Sequence, residues 1–143
     1  MKNIAELSIG DWVCAEQLCG VHNEPRLTPP MKVVGLGESW VNLEIDPEQG
    51  DPFEFEPSEI RGVPITPEIL EKNGWRKISE SDYIVKWYRY NISINFRPST
   101  GNFTFARHFY GHPKIVLVRL VIGYLHQLQR ALLMCGEEIK IVL

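Results

Sequence analysis

Residues 88–109 read YRYNISINFRPSTGNFTFARHF, the longest alternating stretch in the chain. Over Tyr88–Phe96, aromatic and branched aliphatic residues alternate with Arg, Asn and Ser without a break. A period of two over these residues predicts one β-strand with a buried face and a wet face. The polar segment 97–102 predicts a hairpin loop, and Phe103 and Phe105 continue the apolar face on the return strand.

This stretch lies in a part of the chain without acidic residues. The chain has 143 residues and a formal net charge of -3. Residues 1–82 hold 7 Lys and Arg against 16 Asp and Glu, whereas residues 83–136 hold 7 Lys and Arg and no acid. Such an asymmetry is typical of a chain with an anionic partner. Neutralisation of one half by the other, within the fold or across a dimer, is the alternative.

The alternation also predicts a candidate binding surface. It places Trp87 on the outer face beside Arg89, with Lys86 and Arg97 nearby. An outward indole next to cationic side chains can stack on bases and neutralise phosphates. We therefore assign these four residues as candidate contacts for nucleic acid or for a protein partner. The competing interpretation buries Trp87 beneath the first helix.

A second candidate surface lies on the final helix, which the spacing predicts over 120–135. Val121, Leu125, Leu128 and Leu132 recur at helical intervals and define its inner face. His126 and Gln127 lie on the outer face, which is polar and weakly charged. Such a face suits hydrogen bonding to another chain or a polar ligand. Alternatively, the side chain of Gln127 or of His126 satisfies buried backbone groups of the neighbouring strand.

The remaining elements predict an α+β fold. Residues 1–65 contain five short β-rich runs with regular turn signals, which is typical of a small curled sheet or barrel. Thr66 can cap a helix that Pro67 begins and Gly74 ends. In the predicted unit 66–143, this helix is followed by the antiparallel hairpin, a strand over 114–118, the longer helix and a closing strand over 138–143.

Metal and catalytic sites find little support. His108 and His112 lie about 13 Å apart if they share a strand, which is too far for one ion. Cys14, Cys19 and His22 match no standard metal-site spacing, and no nucleophile motif is present. We therefore predict that the chain is not an enzyme and uses no metal or cofactor.

The sequence also predicts a compartment. The first thirteen residues lack the apolar run of a secretory signal. The apolar stretch over 115–125 is shorter than the roughly 20 residues of a membrane helix. Three cysteines are an odd number, which favours reduced thiols. We expect a cytoplasmic protein without membrane contact.

Several segments carry a resemblance to known proteins. These are Leu7-x-Ile-Gly-Asp-Trp-Val13, Lys32-Val-Val34, Ile60-Arg-Gly-Val-Pro-Ile-Thr-Pro-Glu-Ile-Leu-Glu-Lys-Asn-Gly-Trp75, Tyr124-Leu-His-Gln-Leu-Gln129 and Gly136-Glu-Glu138. In this order they resemble a group of small proteins, without an established activity, from phages and mobile elements of anaerobic gut bacteria. The Gly-Asp-Trp-Val opening is similar to the first strand of SH3-like barrels, which implies an SH3-like β-barrel for residues 1–65.

Together these observations predict a non-catalytic interaction module of a phage or mobile element. The module would contact a protein partner or a second copy of itself. The alternative is a nucleic-acid-binding accessory protein that uses the basic aromatic face of residues 83–119.

Overall fold

The computed structural model describes residues 7–45, 48, 50–81, 85–89, 91–109, 111–137 and 140–143. The chain divides into two compact units, Met1–Val63 and Pro64–Leu143. About half of the described residues lie in β-strands, and all of the strand pairs are antiparallel.

The first unit is a curled sheet whose strands pair in the order β2-β1-β3-β4-β5, with β6 also paired to β1. Its strands are β1 (Trp12–Cys19), β2 (Glu24–Leu27), β3 (Met31–Leu36), β4 (Val41–Glu44), β5 (Phe53–Phe55) and β6 (Ile60–Gly62). A single 3-10 turn, Pro57–Glu59, precedes β6. The sheet forms a half-barrel, so the SH3-like barrel implied for residues 1–65 is corrected to this more open form.

Alternate residues of these strands fill the core of the first unit. The buried cluster comprises Leu7, Val13, Ala15, Met31, Val33, Val41, Leu43, Phe55 and Ile60. The chain enters β1 through a Gly-Asp turn. Gly10 takes a positive φ of 96° there, and its N–H donates to the Val33 carbonyl at 2.7 Å. The Asp11 carboxylate accepts from the Ser8 N–H at 2.8 Å and closes the turn.

The second unit is built on a sheet with the strand order β11-β10-β9-β8-β7. Its strands are β7 (Arg76–Glu80), β8 (Val85–Arg89), β9 (Ile92–Arg97), β10 (Asn102–Phe109) and β11 (His112–Ile122). Its helices are α1 (Pro67–Lys72) and α2 (Leu125–Met134). The predicted hairpin between β9 and β10 is confirmed, because Arg97 pairs with Asn102 across the loop.

The predicted first helix is confirmed in detail. The Thr66 hydroxyl accepts from the Ile69 N–H at 3.2 Å, and Pro67 occupies the first helical position. Gly74 adopts the left-handed conformation, with φ of 88°, that ends the helix. Leu70 is fully buried, so the helix is held by its inner face as well as by its caps.

The long strand predicted over Tyr88–Phe96 is wrong. Two residues, 90 and 91, separate β8 from β9, and the two strands pair as a hairpin. Arg89 pairs with Ile92, and Trp87 pairs with Ile94. Because paired residues of an antiparallel ladder point to the same face, the turn reverses the alternation. The side of β8 that was predicted to face solvent therefore shares a face with the apolar side of β9.

The end of the chain also differs from the prediction. The run that was divided between a strand over 114–118 and a helix from 120 is one strand, β11, and α2 begins only at Leu125. This run is rich in Val and Ile, whose branching at Cβ favours a strand, and Gly123 follows it. The predicted closing strand is wrong for residues 140–143, and residues 138 and 139 lie outside the described part of the chain.

The predicted α+β class is therefore wrong. The structure is mostly antiparallel sheet: a curled half-barrel and a second sheet, with little helix.

The Asn73 side chain ties three parts of the second unit together. This residue is buried just after α1, and its amide nitrogen donates to the carbonyls of Ile69 and Val142 at 2.8 Å each. Its Oδ1 accepts from the Val142 N–H at 2.7 Å. The amide thus replaces a partner strand for Val142. Its own carbonyl accepts from the Arg89 guanidinium, which links the same point to β8.

We expect Asn73→Ala to lower the free energy of unfolding by about 1–3 kcal/mol, because it removes three hydrogen bonds of a buried amide and leaves the part-buried backbone groups of Val142 without these partners. The C-terminal residues should become accessible to carboxypeptidase. Chemical denaturation followed by circular dichroism and a digestion time course measure both effects. Asn102→Ala, at an exposed hairpin position, is the control and should change neither. If the Asn73→Ala variant resists denaturant and carboxypeptidase as well as the wild-type protein does, the proposed role of this amide is contradicted.

Candidate interaction surface

Trp87 lies in the core of the second sheet and not on its surface. Trp87 is only 1% exposed, so the outward position predicted for it is wrong. The Lys77 ammonium lies 5.6 Å from the centre of its ring, and Lys77 is its partner on β7. A buried indole cannot stack on a base unless the sheet opens. The burial of Trp87 in the competing interpretation is confirmed, and its place beneath the first helix stays a prediction.

Arg89 belongs to the same face and is engaged within the fold. Its guanidinium donates to the Asn73 carbonyl and lies 5.4 Å from the centre of the Trp75 ring. The contact with the indole is a cation–π interaction. Arg89, the last residue of β8, therefore links this strand to the end of α1 and stabilises the second unit.

The other two candidates on these strands lie elsewhere. Arg97 is exposed at the end of β9, and the alternation of β9 places it on the face opposite Ile94 and hence opposite Trp87. Lys86 pairs with Asn95, which also belongs to that opposite face, and its side chain lies outside the description. The four residues predicted as one surface are thus divided between two faces of the sheet.

His126 and Gln127 begin the second helix. His126 is buried, and its ring stacks on that of Tyr124 with the centroids 5.9 Å apart. The Gln127 Oε1 accepts from the backbone N–H groups of Gly123 and Tyr124, at 2.7 and 3.1 Å. The outer position predicted for His126 is wrong, because the residue is buried. The predicted alternative holds only in that Gln127 bonds backbone groups, since these groups are exposed and belong to the start of α2 and not to a neighbouring strand.

Arg107 shows how the sheet accommodates a cation on its apolar face. It pairs with Ile92 on one side and with Val118 on the other. Its guanidinium donates to the Cys135 carbonyl at the end of α2 and lies 3.4 Å from the Glu137 carboxylate. A cation at this position complements the negative end of the helix dipole.

β11 carries an exposed apolar surface of the second unit. Ile115, Leu117 and Val121 are 50%, 54% and 71% exposed, and Val116 and Val118 are exposed as well. Residues 115–118 form a consecutive apolar run, so both faces of the strand are open to solvent there. A run of this kind on a surface is typical of a binding site. A strand was predicted over 114–118, but its exposure was not, because the sequence does not show that this strand is the last one of its sheet.

In the part of the chain that the structure describes, no strand pairs with the second edge of β11. β11 is the last strand of the sheet, and β10 occupies one side of it. Pairing with β10 is regular from Val118 to Ile122 and shifts in register next to His108. A last strand presents backbone N–H and C=O groups that have no partner strand, and another extended chain can pair with them.

The charge of this edge is positive. β11 contains Lys114 and Arg119 and no acidic residue, and both cations are exposed. Arg119 pairs with Ala106 of β10, which has no charge to offer it. An exposed apolar strand with only positive charge resists self-pairing at its cationic positions and favours an anionic partner.

The groups that could carry catalysis or bind a metal are dispersed. Ser93 and His108 form a cross-strand hydrogen bond, with 2.7 Å between Oγ and Nε2, that joins β9 to β10. Among the described residues, no group of three or more His, Cys, Asp or Glu side chains is placed to hold a metal ion. Cys14 is buried, and burial raises the pKa of its thiol.

Comparison with known proteins gives no information on this surface. No protein-family model, curated protein or solved structure matches the chain. The resemblance to proteins of phages and mobile elements therefore stays a prediction. Of the helices in the described ranges, none has the length and apolar character that spanning a membrane requires.

We expect Trp87→Ala to lower the free energy of unfolding by about 3–5 kcal/mol, as for other large core side chains. Chemical denaturation measures the loss. Phe109→Ala removes an aromatic ring that is 48% exposed on β10, and this control should cost less than about 1 kcal/mol. A Trp87→Ala variant that keeps its stability and loses affinity for single-stranded DNA would place this ring on a surface instead.

The two thiols described should differ in reactivity. In a Cys19→Ser background, the buried Cys14 should react with a disulfide reagent more slowly than the half-buried Cys135. Because burial raises the Cys14 pKa, its thiolate forms at higher pH. Its reaction rate should therefore level off at a higher pH than that of a short unstructured peptide that contains one cysteine and has blocked ends. Stopped-flow absorbance over a pH series measures this, and an equal or lower midpoint would contradict the burial of Cys14.

Proposed function

We propose that the chain is a non-catalytic protein-interaction module that binds an extended segment of another polypeptide along β11. The observation that carries the proposal is the apolar run 115–118, exposed on the outermost strand of the second sheet. Addition of a strand would pair the open backbone edge and cover the neighbouring side chains in one step.

Two features support a protein partner over other ligands. An open strand edge offers alternating donors and acceptors at the spacing of another strand, a pattern that polypeptides match. The exposed side chains on it are mainly Val, Leu and Ile, which suit apolar side chains and not phosphates. We retain from the sequence the proposal that this module works in the cytoplasm and belongs to a phage or mobile element.

The nucleic-acid alternative has less support. It rested on an exposed Trp87 beside Arg89, and the first is buried while the second contacts Asn73 and Trp75. Arg97, Lys114 and Arg119 remain exposed, but Arg97 lies at the end of β9, two strands from β11. Phosphate binding through such cations alone would be weak, sequence-independent and strongly reduced by salt.

A photo-crosslinking amino acid placed at Leu117 tests the proposal. In cells that encode the chain, it should give discrete adducts with another polypeptide, because residue 117 lies within the exposed run. The same amino acid at Leu133, which is 71% exposed on α2, is the matched control and should give few. Mass spectrometry of the adducts identifies the crosslinked segment.

A competition experiment completes the test. Excess unlabelled wild-type protein should suppress the adducts, whereas the Leu117→Glu variant should not, since it places a charge in the apolar run. Circular dichroism of this variant should show the same spectrum as the wild-type protein, since Leu117 is exposed. Adducts at Leu117 no more frequent than those at Leu133 would remove the support for β11 as a binding surface.

A further inference from the structure

We infer that the segment bound by β11 is an acidic strand, in which Asp or Glu alternates with apolar residues. This inference rests on the proposed function and adds the chemistry of the partner. Residues 118–122 of β11 pair regularly with β10 and carry different side chains on their two faces. One face is apolar, and the other carries Arg119.

One face of this part is apolar. Val118, Leu120 and Ile122 pair with Arg107, Phe105 and Phe103 of β10, and Ile122 is buried. These residues extend the apolar face of the sheet to its edge. An added strand would place every second side chain on this face. Apolar side chains there would continue the layer and bury the exposed part of Val118.

The other face carries the charge. Arg119 and Val121 pair with Ala106 and Thr104, so the Arg119 guanidinium stands on a face whose β10 neighbours are uncharged. The backbone of an added strand would lie about 5 Å from that of β11. A carboxylate directly across from Arg119 on this strand could therefore form an ion pair with the guanidinium. Since residues 83–136 contain no acid, this stretch of the chain supplies none itself.

Charge also decides between this partner and a second copy of the chain. β11 carries Lys114 and Arg119, both exposed, and no acidic residue, so two copies joined along β11 would bring like charges together. At physiological salt the screening length is about 8 Å, which leaves contacts between neighbouring strands largely unscreened. An acidic strand reverses the sign of this interaction and therefore fits the edge better than β11 itself does.

A charge-swap experiment with two synthetic peptides tests the inference. The first peptide alternates Glu with Val over eight residues, and the second replaces each Glu with Lys. Fluorescence anisotropy measures their binding to the wild-type protein, to Arg119→Glu and to Arg76→Glu. Arg76 is exposed on β7, the opposite edge of the sheet, so its variant has the same charge change at a distance of roughly 19 Å, or four strand spacings.

The wild-type protein should bind the Glu peptide at least about tenfold more tightly than the Lys peptide, which corresponds to roughly 1.4 kcal/mol. Arg119→Glu should reverse or abolish this preference, and Arg76→Glu should retain it. The preference should shrink as salt rises. Hydrogen exchange should show slower exchange of β11 amides when the Glu peptide is bound. A Glu peptide with a central Pro should bind more weakly, because Pro cannot donate to the ladder.

Other results overturn the inference in distinguishable ways. Equal binding of both peptides with protection of β11 would retain β11 as a binding surface but reject charge as its selector. If light scattering detects a dimer of the wild-type protein and a monomer of the Leu117→Glu variant, the partner of β11 is a second copy of the chain. If neither peptide protects β11 and Leu117 yields no adducts, both the acidic strand and the proposed function fail.

Discussion

The pairing of Trp87 with Ile94 is the constraint on which the second sheet depends. Since only two residues separate β8 from β9, this register fixes which side of each strand meets the core. A shift by one residue would turn Trp87 and Arg89 outward and place Lys86 among apolar side chains. The same register brings Arg89 to Trp75 and to the Asn73 carbonyl. One short turn thus connects the sheet to the end of α1 and, through Asn73, to the C-terminal residues.

How far the sequence predicts this fold depends on how local each signal is. Thr66, Pro67 and Gly74 act within one helix, and the hairpin at 97–102 within one loop, so both were predictable. The end of β8 at Arg89 was hidden because residues 90 and 91 continue the alternation of their neighbours. The helical spacing of Val121, Leu125 and Leu128 likewise concealed the end of β11, since a short apolar run fits either structure.

The candidate site was less predictable for a related reason. Lys86, Trp87, Arg89 and Arg97 were grouped by their spacing along one strand, and the hairpin divides them between two faces. Exposure of β11 follows from its place as the last strand of a sheet, which depends on how distant segments pair. The charge asymmetry, in contrast, needs no structure to be seen. The fold adds that exposed cations of the basic stretch stand on an open apolar edge.

The contact between Asn73 and Val142 bears on how the second unit folds. These residues are 69 positions apart, whereas β8, β9 and β10 are joined by turns of two and four residues. Closing a long loop costs more entropy than forming a hairpin, so we expect the hairpins to form early and this contact late. During synthesis on a ribosome, Asn73 cannot form this contact until Val142 has emerged, after almost all of the second unit. During that interval the sheet and its open edge would already exist, and chaperones would meet them first.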